Sequence, residues 1–184
     1  MKYERIGDFK ISWTLSIILN LVAGLVFISG FFLFFYLYMS YSDDHFCDRL
    51  LENSNIWISY GLVFIQVIMH EYSHAIGYKL CGGRVAYGIK WLCPYCREVS
   101  GLHYSSKGFA ITLVLPLITG TVIGILAIMF FSQFLYYTIT CMLVNISGAA
   151  GDITMLIYIL LKAKNNYFIR DETYGFSIHK RVLA

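Results

Sequence analysis

His70-Glu71-Tyr72-Ser73-His74 carries two imidazoles and a carboxylate at the spacing used for metal-assisted hydrolysis, and it lies inside a long apolar stretch. Histidines four apart on a helix project from nearly the same face, so both can reach one metal. Glu71 points about 100° round from His70, away from the metal but within reach of a water activated there. A catalytic zinc takes three protein ligands and keeps one position open. The motif supplies two, so the chain must supply a third. In an apolar span such ionisable groups are costly and mark a functional site.

The elements that must position this motif are membrane helices. The chain has 184 residues, 58% hydrophobic and 14% charged, with a mean hydropathy of +0.65. That is far more apolar than an ordinary soluble domain. Four apolar runs are long enough to span a bilayer, at about Ile11–Met39, Ile56–Tyr78, Phe109–Phe131 and Phe134–Leu161. The expected fold is an all-α membrane protein of one domain over residues 1–184, with about four transmembrane helices. The first run is too long for the apolar core of a signal peptide and is expected to remain as an anchor.

Basic residues orient these spans. Lys2, Arg5 and Lys10 precede the first; Arg84, Lys90, Arg97 and Lys107 lie between the second and third; Lys162, Lys164, Arg170, Lys180 and Arg181 follow the fourth. The loop between the first two spans has only Arg49, beside Asp43, Asp44, Asp48 and Glu52. The positive-inside rule therefore puts both termini and the middle segment in the cytoplasm of a multi-pass protein, expected in the plasma membrane. The net charge of +3 is a topology signal. Basic residues of the tail are scattered among acidic and apolar ones, so no nucleic-acid partner is expected.

A census of the spans points to the third ligand. The first and third contain no charged residue or histidine; the second contains His70, Glu71 and His74; the fourth contains Asp152 alone. Asp152 and the histidines lie at similar depths, about 14 to 18 residues from the outer ends of their spans at roughly 1.5 Å per residue. Five small residues, Ser147–Gly151, would let the fourth helix approach the second closely. Asn145 reads equally as glue between helices or as a catalytic group, and Gln66, one turn before His70, as a helix-facing hydrogen-bonding residue.

Between spans two and three, Arg84–Trp91 and Glu98–Tyr104 have strand-like composition, with Cys93-Pro94-Tyr95-Cys96 as the turn of a small cytoplasmic β-hairpin. Gly82-Gly83 is expected to end the helix before it. One C-x-x-C unit is half of a zinc ribbon, so free thiols are expected in a reducing cytoplasm. Pro116 in the third span frees a backbone carbonyl and favours a kink.

Taken together, His70-Glu71-Tyr72-Ser73-His74, Gly82-Gly83 with its strand-like sequel, Pro116, and Asn145…Gly151-Asp152 resemble the small membrane proteins called putative zincin peptidases. More broadly they are similar to site-2 protease intramembrane metalloproteases. Gly148 and Ile153 stand where site-2 proteases usually carry a proline and a glycine, which favours the smaller group. The resemblance implies a zinc metalloendopeptidase with Zn2+ on His70, His74 and Asp152 and Glu71 as the base. Asn145 would bond the substrate backbone. Such an enzyme cuts a membrane-embedded or membrane-associated protein or peptide near the cytoplasmic face. The rival is a non-catalytic membrane metal-binding or metal-transport protein using the same ligands. The uncharged first and third spans offer no polar route for transport.

Overall fold

The computed structural model describes residues 2–41, 55–90, 93–163, 166–172 and 175–182. The acidic loop after the first helix, with Cys47, lies outside them. Strand β1 (Lys2–Lys10) leads into α1 (Trp13–Tyr41), followed by α2 (Ile56–Leu80). Strands β2 (Val85–Lys90), β3 (Cys93–Glu98) and the short β4 (Tyr104–Ser105) precede α3 (Ser106–Phe130). A 3-10 turn at Ser132–Phe134 enters α4 (Leu135–Gly148), then α5 (Ala150–Lys162), β5 (Tyr167–Glu172) and β6 (Gly175–Val182).

Among the described residues, two helices are long and apolar enough to cross a membrane, Trp13–Leu37 and Ser106–Phe130. This marks a membrane protein. The other two expected spans differ. Helix α2 has the length, 25 residues, but Gln66, His70, Glu71 and His74 lower its hydropathy. The fourth is broken at Ala149: Ser132–Gly148 and Ala150–Lys162 meet at 41°. The small residues expected to tighten this helix against α2 lie at the break, with Ser147 and Ala149 buried. A side chain added at Gly148 or Gly151 would meet no atom within 4 Å. Close helix approach occurs elsewhere. A Cβ on Gly77 of α2 would lie 2.8 Å from the Thr112 Cα of α3, and one on Gly30 of α1 would lie 2.5 Å from a Leu143 methyl of α4.

The chain is mostly helical but not all-α. Strands β1, β6, β5 and β4 form a four-stranded antiparallel sheet in that order. Alternate residues of its strands bury one face: Ile169, Phe176 and Ile178, with Phe9, pack on Tyr78, Phe109 and Ile159 at the ends of three helices. The sheet thereby fixes α2, α3 and α5 relative to one another at the end nearest the histidines.

The expected hairpin is present with a shifted turn. Strand β3 begins at Cys93, with Lys90 opposite Cys93 and Val85 opposite Glu98. Cys93-Pro94-Tyr95-Cys96 is therefore strand and not turn. Proline is tolerated because it sits where the N–H would point away from β2. The bond from Val99 N–H to Arg84 O, 2.8 Å, sets that parity. Cys96 and Glu98 share the outward position with Pro94.

Helix termini follow local chemistry. Asn55 Oδ1 accepts the Trp57 N–H at 2.9 Å to cap α2, and Ser105 Oγ accepts the Gly108 N–H at 3.1 Å to cap α3. Gly82, at φ +83°, takes the left-handed turn that ends α2.

Candidate metal centre

His70 and His74 lie one turn apart on α2, and the break at Ala149 places Asp152 in the first turn of α5. Nε2 of His70 is 3.2 Å from Asp152 Oδ2, and Nε2 of His74 is 3.4 Å from the same oxygen. All three side chains are only 12% exposed. His70, Glu71 and His74 also offer ligand atoms within 4.8 Å of one another. The two motif histidines and the distant aspartate thus come together as their depths suggested.

The remaining ring nitrogens fix the tautomers. His74 Nδ1 is 3.0 Å from Thr112 O. A carbonyl only accepts, so Nδ1 carries the proton and Nε2 of the neutral ring carries the lone pair. His70 Nδ1 is 3.2 Å from Asn145 Oδ1. Asn145 Nδ2 donates to Pro116 O at 3.3 Å, while Gln66 Nε2 donates to Asn145 Oδ1 at 3.0 Å. Both contacts orient the amide so that its oxygen faces His70, whose Nδ1 is again the donor.

Two Nε2 lone pairs and a carboxylate oxygen therefore point at one another. Such an arrangement is repulsive without a cation or protons among the three groups. Zinc ligands at about 2.0–2.1 Å in a tetrahedral site stand about 3.3 Å apart, close to the 3.2 and 3.4 Å separations here. Both donor types and spacing fit a zinc ion.

Glu71 stands beside this set. Its Oε2 accepts the Cys96 N–H at 2.8 Å, and its Oε1 accepts no hydrogen bond among the described residues. One oxygen is thus anchored by β3, and the other is unengaged among the described residues.

Asn145 is 2% exposed, and both ends of its amide are engaged by protein groups. Gln66 bonds across to Asn145 of α4 and not along its own helix. Composition did not single out Thr112, whose signal was Pro116 four residues later, nor Asp171 of β5. Asp171 Oδ2 accepts the Glu98 N–H at 3.2 Å. Burial pushes the Asp171 carboxyl up to about 6, against the opposing effect of the Glu98 N–H and Tyr78 hydroxyl bonds.

Among the described residues no thiol joins the centre. Cys81, Cys96 and Cys141 are free, and the Cys93 side chain lies outside the described residues. Burial, with the Glu71 and Asp171 carboxylates nearby, pushes the Cys96 thiol up to about 12.

Helices long enough to cross a membrane and a His–His–Asp cluster beside a glutamate define the class: a membrane protein with a zincin-type site. The family described as putative zincin peptidase matches residues 63–167, more than half of the chain and all of the site. The chain belongs to this family. Membership places it among zincin-like metallopeptidases and implies zinc. No curated protein and no solved structure matches the chain.

Proposed function

We propose that the chain is an intramembrane zinc metalloprotease of site-2 protease-like type. It would hydrolyse a peptide bond in or beside the membrane near the cytoplasmic face. The observation that carries this reading is the convergence of His70 Nε2 and His74 Nε2 on one Asp152 oxygen, with Glu71 beside them. His70, His74 and Asp152 hold the zinc. Bound there, zinc supplies Lewis-acid chemistry, acidifying water and polarising a carbonyl.

The remaining work belongs to side chains. Glu71 takes a proton from the attacking water on its unengaged oxygen and delivers it to the leaving amine. Asn145 holds His70 in place; with both ends of its amide engaged, its role is positioning and not substrate contact.

Substrate enters from the apolar side. A groove of about 1090 Å³ opens between α2, α3 and α4, running from Ile58 and Phe134 to His70 and Pro116. Its walls suit an apolar membrane peptide, whose helix must unwind to expose a carbonyl. The outer edge of β2 pairs with no other strand among the described residues and can hold an extended segment by β-augmentation. The distribution of Lys and Arg supports cytoplasmic termini in a multi-pass plasma-membrane protein.

Comparative proteomics of membranes from cells carrying wild type or Glu71→Gln tests this function. A membrane protein that accumulates uncut with the variant, and co-purifies with it, is the expected result. Identical membrane proteomes, with cellular function retained in the variant, would favour a non-catalytic metal-binding protein.

A further inference from the structure

We propose that Pro116 is a positioning residue for the metal centre. By removing one backbone N–H from α3 it commits the Thr112 carbonyl to His74 and so sets which His74 nitrogen faces the metal. This rests on the metal reading above.

In a regular helix the N–H of residue 116 would bond to the carbonyl of residue 112. Proline has no N–H, and its ring pushes that carbonyl off the helical path. Pro116 and Thr112 are both buried, so water cannot readily replace the missing donor. The donor is supplied by His74 Nδ1, 3.0 Å from Thr112 O. The contact is close because α2 and α3 touch there: a Cβ on Gly77 would lie 2.8 Å from the Thr112 Cα.

The demand runs from carbonyl to imidazole. Thr112 O needs a donor, so His74 keeps its proton on Nδ1 and turns the Nε2 lone pair toward Asp152 and the metal position. The same proline serves the other histidine from its own carbonyl. Pro116 O accepts Asn145 Nδ2 at 3.3 Å, and Asn145 Oδ1 faces His70 Nδ1 at 3.2 Å. One residue of α3 thereby touches the outer partner of each motif histidine. Outer-shell bonds of this kind fix ligand orientation and typically change metal affinity about 10- to 100-fold when lost.

The test compares wild type with Pro116→Ala, full-length chains in detergent micelles, by two measurements. Nitrogen-15 NMR of labelled histidine in the metal-free protein reads the His74 tautomer, with His74→Gln assigning the signal. Competition against a chromophoric chelator reads zinc affinity. Alanine returns an N–H to position 116, so part of the His74 population should move its proton to Nε2 and zinc should bind about 10- to 100-fold more weakly. Pro116→Gly also returns the N–H while keeping the helix pliable, and should shift both readings in the same direction. An unchanged tautomer together with zinc affinity within about twofold of wild type would overturn the proposal. Wild type that binds no zinc would defeat the metal reading instead, while the tautomer measurement would still decide the role of Pro116.

Discussion

The backbone N–H of Cys96 on β3 donates to Glu71 Oε2 at 2.8 Å, tying the hairpin to the proposed general base. A carboxylate with one oxygen held by a backbone amide has a fixed direction, and strand parity leaves that amide available. Glu71→Gln can keep the bond through its amide oxygen; Glu71→Ala cannot. Hydrogen–deuterium exchange at the Cys96 amide should therefore stay slow in the glutamine variant and rise at least about tenfold in the alanine variant, as expected for loss of a bond worth roughly 1.5–3 kcal/mol. Equal protection in both variants would show that something other than Glu71 shields this amide.

Glu71→Gln should also separate binding from chemistry. His70, His74 and Asp152 are untouched, so one zinc per chain is retained. Loss of a general base lowers turnover about 10²- to 10⁴-fold. Cleavage by purified protein of whichever membrane protein accumulates in the variant cells measures this. Activity within a factor of two of wild type would remove Glu71 from the mechanism.

Gly120 should tolerate no side chain. A Cβ there would overlap Asn145 Nδ2, and Asn145 is held on both sides. Gly120→Ala is expected to displace the amide from His70, lower stability by about 1–3 kcal/mol through overpacking and weaken zinc binding. Thermal unfolding with and without zinc reads both effects, and Gly24→Ala, where a Cβ meets nothing within 4 Å, is the comparison.

Asp171 carries a pH dependence whose sign is fixed. Its carboxyl is raised from 3.8 to about 6 in the folded chain, chiefly by burial. Between those values the folded state holds a proton that the unfolded state has released. Stability contributed by this group is therefore full below about pH 4 and is lost as pH rises through about 6, with a slope of at most about 1.4 kcal/mol per pH unit. The difference in unfolding free energy between wild type and Asp171→Asn should follow this trend. A flat difference from pH 4 to 7 would mean that Asp171 titrates normally.

The site was legible in the sequence because a membrane makes ionisable residues conspicuous. His70, His74 and Asp152 stand out against apolar neighbours, and similar depth brought them within 3.2 to 3.4 Å. The support around them was not legible. Thr112 acts through its backbone carbonyl, which no side-chain pattern reveals, and Pro116 announces it only once α2 and α3 are known to touch at Gly77. The four-stranded sheet escaped for a different reason. Its strands lie in charge-bearing end segments, where Arg5, Arg170 and Lys180 read as topology signals and hid the alternation that buries Ile169, Phe176 and Ile178. Likewise Ser147–Gly151 reads as a packing surface, and Ser147 and Ala149 are buried, but the helix break within it was not legible.

The central claim is that His70, His74 and Asp152 hold one zinc ion. X-ray absorption at the zinc edge of the purified, stoichiometrically loaded chain, beside Asp152→Ala, tests it most directly. Wild type should show one zinc per chain with two imidazole nitrogens near 2.0–2.1 Å and a carboxylate oxygen near 2.0–2.2 Å, and Asp152→Ala should lose the metal or the carboxylate contribution. A wild-type chain without zinc, or an unchanged zinc environment in Asp152→Ala, would contradict the account.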